Sequence, residues 1–322
     1  MSEVEQDEAA LLAQFDGKGR LAVAYSGGAD SALVLAAAVR ALGPANVLAV
    51  TAVSESLASG ELERAAELAA DLDVVHLTPR TRELDRDGYR ANGPDRCYFC
   101  KSEVLDALAR IGAESGFPHV ATGTNADDAA DPFRPGIRAG AERGVLTPLL
   151  SAGLTKQRVR RLSRHWSLPT WDKPATPCLA SRVAYGLRIS GPRLARIDRA
   201  ETGVRARLAA AGVEVADLRV RDLGEGRARI EVPGGVLAAA REVPGLFDAL
   251  AAAGFDAGAV ELAAFRSGAL NDSLAPAPAD PGPRDPADGA AADGAAVDGA
   301  AADGARADWA PAAGDRVGGH AK

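Results

Sequence analysis

The residues with the most evident chemistry are Ser26-Gly27-Gly28-Ala29-Asp30-Ser31, where an apolar run ends and a helical pattern begins. Two adjacent glycines let the backbone turn tightly and bring N–H groups against a phosphate. The N-terminus of the helix that follows adds partial positive charge. Ser26 and Ser31 offer hydroxyls, and Asp30 can hold a Mg²⁺ ion that bridges phosphate oxygens. A plain glycine turn with an Asp or Ser cap is the alternative. Six fitting positions at a strand–turn–helix junction favour phosphate binding. A second segment, Gly123-Thr124-Asn125-Ala126-Asp127-Asp128, is followed by Asp131 and Arg134-Pro135-Gly136. Asp127 or Asp128 could share the metal with Asp30, and Arg134 could contact a phosphate or a carboxylate. The plainer reading there is a solvated acidic turn with an Asn cap.

The cysteines are Cys97, Cys100 and Cys178. An odd count speaks against a disulfide framework. Cys97-Tyr98-Phe99-Cys100 opens a helical stretch, and such a pair alone fits a redox couple, half a zinc site or cluster ligands. No second pair exists, and His76, His119, His165 and His320 lack zinc-finger spacing. Three thiolates would leave one corner of a [4Fe–4S] cube open to substrate or to an extra sulfide. Arg96 and Lys101 flank the pair, and nearby cations favour thiolate. Ordinary buried thiols remain the alternative, for Cys178 between Pro177 and Leu179 above all.

These residues need a scaffold. Residues 21–26, 46–51, 73–77 and 119–123 read as strands, and 30–41, 60–72 and 95–116 as helices. This alternation implies an α/β architecture with a parallel sheet covered on both faces. Ligands of such sheets bind at the carboxyl ends of the strands, so 26–31 and 123–128 share one edge. A helix over 155–166 stops before Pro169 and leads to a polar, Pro-broken loop at 171–186. Helix 193–211 and strands 217–223 and 227–232, joined by Gly224, Glu225 and Gly226, suggest a smaller α+β unit with further helix at 236–240 and 246–253. The expected division is a nucleotide domain at 1–186, a substrate domain at 187–268 and a disordered Ala/Asp/Gly/Pro-rich tail at 269–322.

The net charge is −7, yet 272–322 holds nine Asp against three Arg and one Lys, which leaves the rest near neutral. That argues against a broad nucleic-acid surface. No apolar run approaches the ~20 residues of a membrane span. The acidic N-terminus does not read as a signal peptide, and a cytoplasmic location is expected.

The loop at 26–31 resembles the SGGxDS pyrophosphate loop of the adenine-nucleotide α-hydrolase families, and lacks the Lys of a Walker A loop. The resemblance implies ATP, Mg²⁺ and adenylation with loss of pyrophosphate. With RCYFCK (96–101), GTNADD (123–128), RPGIRA (134–139), TPLLSAGLTK (147–156), LPTWDKPATPCLASRVAYG (168–186), RVR (219–221) and ARIEV (228–232), the chain resembles the LarE sulfur transferases over roughly residues 10–266. The family implies a small-molecule substrate, pyridinium-3,5-biscarboxylic acid mononucleotide. Its carboxylates become acyl-adenylates and then thiocarboxylates, on the way to the nickel-pincer cofactor of lactate racemase. Some members sacrifice the cysteine matching Cys178; others hold a sulfide on a [4Fe–4S] cluster with three cysteines, and the trio here favours the cluster. Glu201 is implied near the sulfur-donating cysteine. Arg219 and Arg221 alternate on one strand face and could clamp the substrate phosphate; Asp222 departs from the expected turn. A homo-oligomer, and hand-off to a nickel-inserting enzyme, are likewise implied. A tRNA thiolase, an amidotransferase-type synthetase and a non-catalytic nucleotide sensor are the rival readings.

Overall fold

Short apolar runs build the first sheet. In the computed structural model, which describes residues 1–130 and 134–266, β1 (Leu21–Ala24), β2 (Val47–Val50), β3 (Val75–Leu77) and β4 (His119–Ala121) lie in the order β3-β2-β1-β4, all parallel. Leu21 stands opposite Val47 on one side and His119 on the other. This is the parallel α/β sheet anticipated from the alternation, with each strand shorter than its apolar run. The chain winds outward from β1 to β3 and then crosses to β4. The switch point between β1 and β4 is therefore where a ligand is expected. The anticipated tail and Asp131 lie outside the described residues.

Helix α1 (Glu3–Leu12) was not anticipated. Its signal is a capping box: Ser2 Oγ accepts from the Glu5 amide, and Glu5 Oε2 accepts from the Ser2 amide at 2.7 Å. Helix α2 (Ala29–Leu42) is buried throughout Ser31–Ala38, which matches its unbroken apolar text. α3 (Glu61–Asp71), α4 (Asp87–Ala91) and α5 (Arg96–Glu114) follow. Leu108 and Phe117 pack on Ala22, Leu48 and Val50, while Leu33, Leu35 and Leu68 join Val23 and Ala49 in another core, so both sheet faces are covered. Short α6 (Ala126–Ala130), α7 (Pro135–Ala141) and α8 (Pro148–Ser151) lead to α9 (Lys156–His165), capped by Thr155. Asp7 of α1, fully buried, docks α9 through Arg158 and Arg161.

The second sheet has three strands. β5 (Arg219–Gly224) and β6 (Arg227–Val232) form the expected hairpin, turning through Glu225 and Gly226 at positive φ. β7 (Val260–Ala264) runs parallel to β6 and was not anticipated, because its alanines carry little strand signal. α10 (Gly191–Ala210), α11 (Leu237–Arg241) and α12 (Asp248–Ala253) complete the unit. Its core takes in Tyr89, Leu179 and Ala180 beside Ile197, Val220 and Ile230. Asp222, the departure noted above, is buried, accepts from the Gly224 amide at 2.9 Å and pairs with Arg193 and Arg196, so it pins the bulge before the hairpin. No described helix is long and apolar enough to cross a membrane.

Burial would push the Asp7 carboxyl up, but its bonds to Arg158 and Arg161 outweigh that and hold it below its ordinary value. The pair therefore stabilises the fold above the usual carboxylate range, near pH ~4, and the contribution is lost as pH falls through the depressed value. Asp7→Asn should lower unfolding stability in urea by about 2 kcal/mol at neutral pH, and the gap to wild type should close in acid. An equal gap at both pH values would contradict this.

Candidate functional site

The turn after β1 is built to leave backbone donors open. Gly27 has φ +72°, and a Cβ there would lie 3.2 Å from the Ala65 side chain, so α3 presses on the loop. Gly28 caps α2 without a side chain. Ser31 Oγ accepts from the Ser26 amide at 3.2 Å, lies 3.1 Å from Ser26 Oγ and donates to the Gly28 carbonyl. These bonds hold the loop in one shape. Gly123 is equally constrained: a Cβ would sit 2.8 Å from the Ser31 amide nitrogen, so the β4 loop rides directly on the start of α2. Thr124 follows, half-buried, its hydroxyl 3.3 Å from that of Thr122. Asn125, fully buried, donates to Asp30 Oδ1 at 3.1 Å. The two expected segments are thus brought together at the switch point.

Burial, with Asp128 nearby, pushes the Asp30 carboxyl up, and the Asn125 bond only partly offsets it. A divalent cation beside Asp30 would relieve that desolvation, so the residues fit Mg²⁺. The other acids of the segment are engaged elsewhere. Asp127 accepts from the Lys156 amide at 2.8 Å at the start of α9. Asp128 pairs with Arg134 at 2.9 Å and with Lys156 at 3.3 Å.

The cysteine segment is held by cations on its carbonyls. Arg160 of α9 donates to the carbonyls of Trp171 and Lys173, Arg219 to Ala175, Arg182 to Pro177 and Cys178, Arg96 to Ala180 and Arg221 to Ser181. Ser181 adds its amide and hydroxyl to the Cys178 carbonyl, at 2.9 and 2.7 Å. The Leu179 amide donates to Ser56, beyond β2. At the other end Lys173 Nζ reaches the phosphate loop, donating to the Gly27 carbonyl at 2.9 Å and pairing with Glu61 at 2.8 Å.

Cys97 and Cys100 lie on the opening turn of α5, and Cys178 stands near enough to act electrostatically on Cys100 and Arg96. Cys97 and Cys178 are exposed and Cys100 half-buried. Burial, then Cys178, Glu83 and Cys97, push the Cys100 thiol up, and Lys101 only partly opposes them. Flanking cations were expected to favour thiolate here; for Cys100 burial overrides them. Arg96 is buried and loses by desolvation, yet Cys178 and Cys97 raise it on balance. By its chemistry the donor set, three thiols without histidine, suits an iron–sulfur cluster. Among the described residues no three His, Cys, Asp or Glu side chains close to metal-holding distance.

Glu201 is buried, bonds Arg182 Nε at 2.8 Å and accepts from the Val220 amide at 3.0 Å. Its reach to Cys178 runs through Arg182. Arg221 pairs with Glu231 at 2.9 Å. Burial, then Arg182 and Arg221, depress Arg219, whose acid neighbour Asp217 is 3.9 Å away. Arg182 and Lys173 were not singled out from sequence, although PCLASR and WDKP contain them, and Arg96 was read only as a cation beside the thiols. Gly27 and Glu61 for Lys173, Glu201 for Arg182 and Ala180 for Arg96 lie far along the chain, and only their position beside Cys97 and Cys178 could have flagged them.

No family model matches the chain. An uncharacterized protein of Synechocystis sp. is 43% identical over 223 residues, 69% of this chain and 80% of that protein. The pyridinium-3,5-bisthiocarboxylic acid mononucleotide synthase of Lactiplantibacillus plantarum is 33% identical over 281 residues, 86% of this chain and 98% of that protein. An uncharacterized protein of Methanocaldococcus jannaschii is 25% identical over 187 residues, 58% of this chain and 69% of that protein.

Arg182→Met would strand Glu201 as a buried, unpaired charge and release two carbonyls. It should cost about 3–5 kcal/mol of stability, read as a fall in the urea midpoint. Ser181→Ala, at an exposed hydroxyl, should cost under about 1 kcal/mol. Equal losses would contradict the pinning role of Arg182.

Proposed function

The chain belongs to the LarE family, the pyridinium-3,5-bisthiocarboxylic acid mononucleotide synthases, and from that premise we propose that it is an ATP-driven transferase that converts both carboxylates of pyridinium-3,5-biscarboxylic acid mononucleotide to thiocarboxylates. The observation that carries this reading is the link of the phosphate loop to the cysteine segment through Lys173. Activation and sulfur delivery then share one locality.

In this reading Ser26, Gly27, Gly28 and Ser31 cradle the phosphates of ATP, with Gly123 and Thr124 beside them. Asp30, steadied by Asn125, would hold Mg²⁺, which supplies charge neutralisation at the phosphates. Asp127 supports the site through the start of α9, and Arg134 through Asp128. A substrate carboxylate oxygen attacks the α-phosphorus and pyrophosphate leaves. Sulfur then attacks the acyl carbon, and AMP departs with the bonding pair. Arg219 and Arg221 receive the substrate phosphate, Arg219 foremost, since its acid partner Asp217 is 3.9 Å away whereas Glu231 holds Arg221 at 2.9 Å. Glu201 acts as a positioning residue through Arg182 and the Cys178 carbonyl. Cys97, Cys100 and Cys178 would hold a [4Fe–4S] cluster whose open corner supplies the sulfide; sacrifice of Cys178 is the alternative source. Free thiols suit a reducing cytoplasm. The near-neutral body suits a small-molecule substrate rather than nucleic acid. We place the protein as a homo-oligomer that passes its product to a nickel-inserting enzyme serving a lactate racemase.

Cys178→Ala should form no thiocarboxylate yet release pyrophosphate with substrate to within about threefold of wild type. Loss of pyrophosphate release would contradict separate activation and sulfur centres. Anaerobic reconstitution with iron and sulfide should give broad visible absorbance in wild type and not in Cys97→Ala. A wild type that binds no iron and loses H₂S from its mass on turnover would assign the sulfur to Cys178 instead.

A further inference from the structure

Lys173 has no part in the chemistry just described, yet it joins the two centres. Its ammonium leaves the cysteine segment and ends between the Gly27 carbonyl and Glu61, with side chains only 15% and 10% exposed for Lys173 and Glu61. Glu61 is also held by Arg64 at 2.5 Å, so the carboxylate keeps a partner if Lys173 lets go. The phosphate loop, Ser26–Ser31, contains no cation of its own. A polyphosphate arriving there meets an ammonium whose carboxylate is shared and whose other partner is a neutral carbonyl. Charged phosphate oxygens are stronger acceptors than that carbonyl.

The chain between Lys173 and Cys178 can transmit such a shift. It spans at most roughly 17 Å, and Pro174 and Pro177 fix two of its φ angles. Its carbonyls are anchored at Lys173, Ala175 and Pro177 by Arg160, Arg219 and Arg182, while the Cys178 side chain itself is exposed.

We propose that Lys173 is a positioning residue that couples the phosphate loop to Cys178: nucleotide phosphates draw its ammonium from Gly27 and Glu61, and the Pro174–Pro177 segment carries Cys178 inward. Sulfur is thereby presented when a nucleotide is in place. The nucleotide half of this proposal rests on the ATP reading; the movement of Cys178 requires no substrate.

The test is the rate at which iodoacetamide alkylates Cys178 in the full-length, iron-free protein, read by peptide mass spectrometry with and without a saturating, non-hydrolysable Mg–ATP analogue. The analogue should slow modification in wild type by about tenfold, the worth of one charge-assisted hydrogen bond. Lys173→Met, with analogue binding confirmed by calorimetry, should show no slowing, and Lys173→Arg should keep most of it. Because Lys173→Arg retains the cation, its rescue separates coupling from a general loss of fold. Equal slowing in wild type and Lys173→Met overturns the proposal. A wild type that binds the analogue without slowing overturns the coupling alone, whereas one that binds no nucleotide overturns the ATP reading and the coupling with it.

Discussion

Between Trp171 and Ser181 the one regular element is the 3₁₀ turn that begins at Leu179, and guanidinium groups supply donors to the peptide carbonyls along the stretch. Arg160, Arg219, Arg182, Arg96 and Arg221 each take one or two carbonyls of this stretch. At the buried Ala180 carbonyl, losing the partner would cost about 1–3 kcal/mol; along the more exposed residues before it the cations favour one path of the chain. Desolvating them is also costly, several kcal/mol for each ion. An apolar core of equal volume would be at least as stable. The polar arrangement gains a backbone path set by polar anchors, with Cys178 exposed on it. Acids then balance the cations: Glu201 on Arg182 and Glu231 on Arg221. Arg219 has the longer contact, with Asp217 at 3.9 Å.

The anchors come from helices around the first sheet and from a strand of the second, and the cysteine segment lies between the two in the chain. Arg219 and Arg221 sit on β5, Arg160 on α9 and Arg96 on α5. Asp7, which docks α9 from α1, thereby acts at a distance on the segment that Arg160 holds. The phosphate loop is fixed differently, by close approach. Gly27 meets Ala65, and Gly123 meets the start of α2, at distances that allow no larger side chain without movement. One edge is set by steric contact and the other by charge, with Lys173 between them.

Much of this was legible in the sequence, and the reason is range. The strand–turn–helix signal at 26–31 and the βαβ alternation are local patterns, and the parallel sheet follows from them. The LarE-like motifs named both edges of the site. The arginine anchors were not legible, because all but Arg182 pair with carbonyls more than ten residues away and a charged side chain reads by default as solvated. Arg219 and Arg221 were read as a phosphate clamp alone; their hold on Ala175 and Ser181 appears only in three dimensions. For Cys100, neighbours in sequence suggested an activated thiol, whereas burial decides the opposite direction. β7 was missed because Val260–Ala264 is short and alanine-rich, and its pairing with β6 is what makes it a strand.

The proposed reaction stands on one step, attack of a substrate carboxylate on the α-phosphorus of ATP at the 26–31 loop before sulfur arrives. Substrate carrying ¹⁸O in its carboxylates tests this directly. Mass spectrometry of the AMP formed should find one ¹⁸O for each thiocarboxylate made, because the oxygen that attacked phosphorus leaves with it. AMP free of ¹⁸O, or label recovered in pyrophosphate or inorganic phosphate, would contradict the acyl-adenylate.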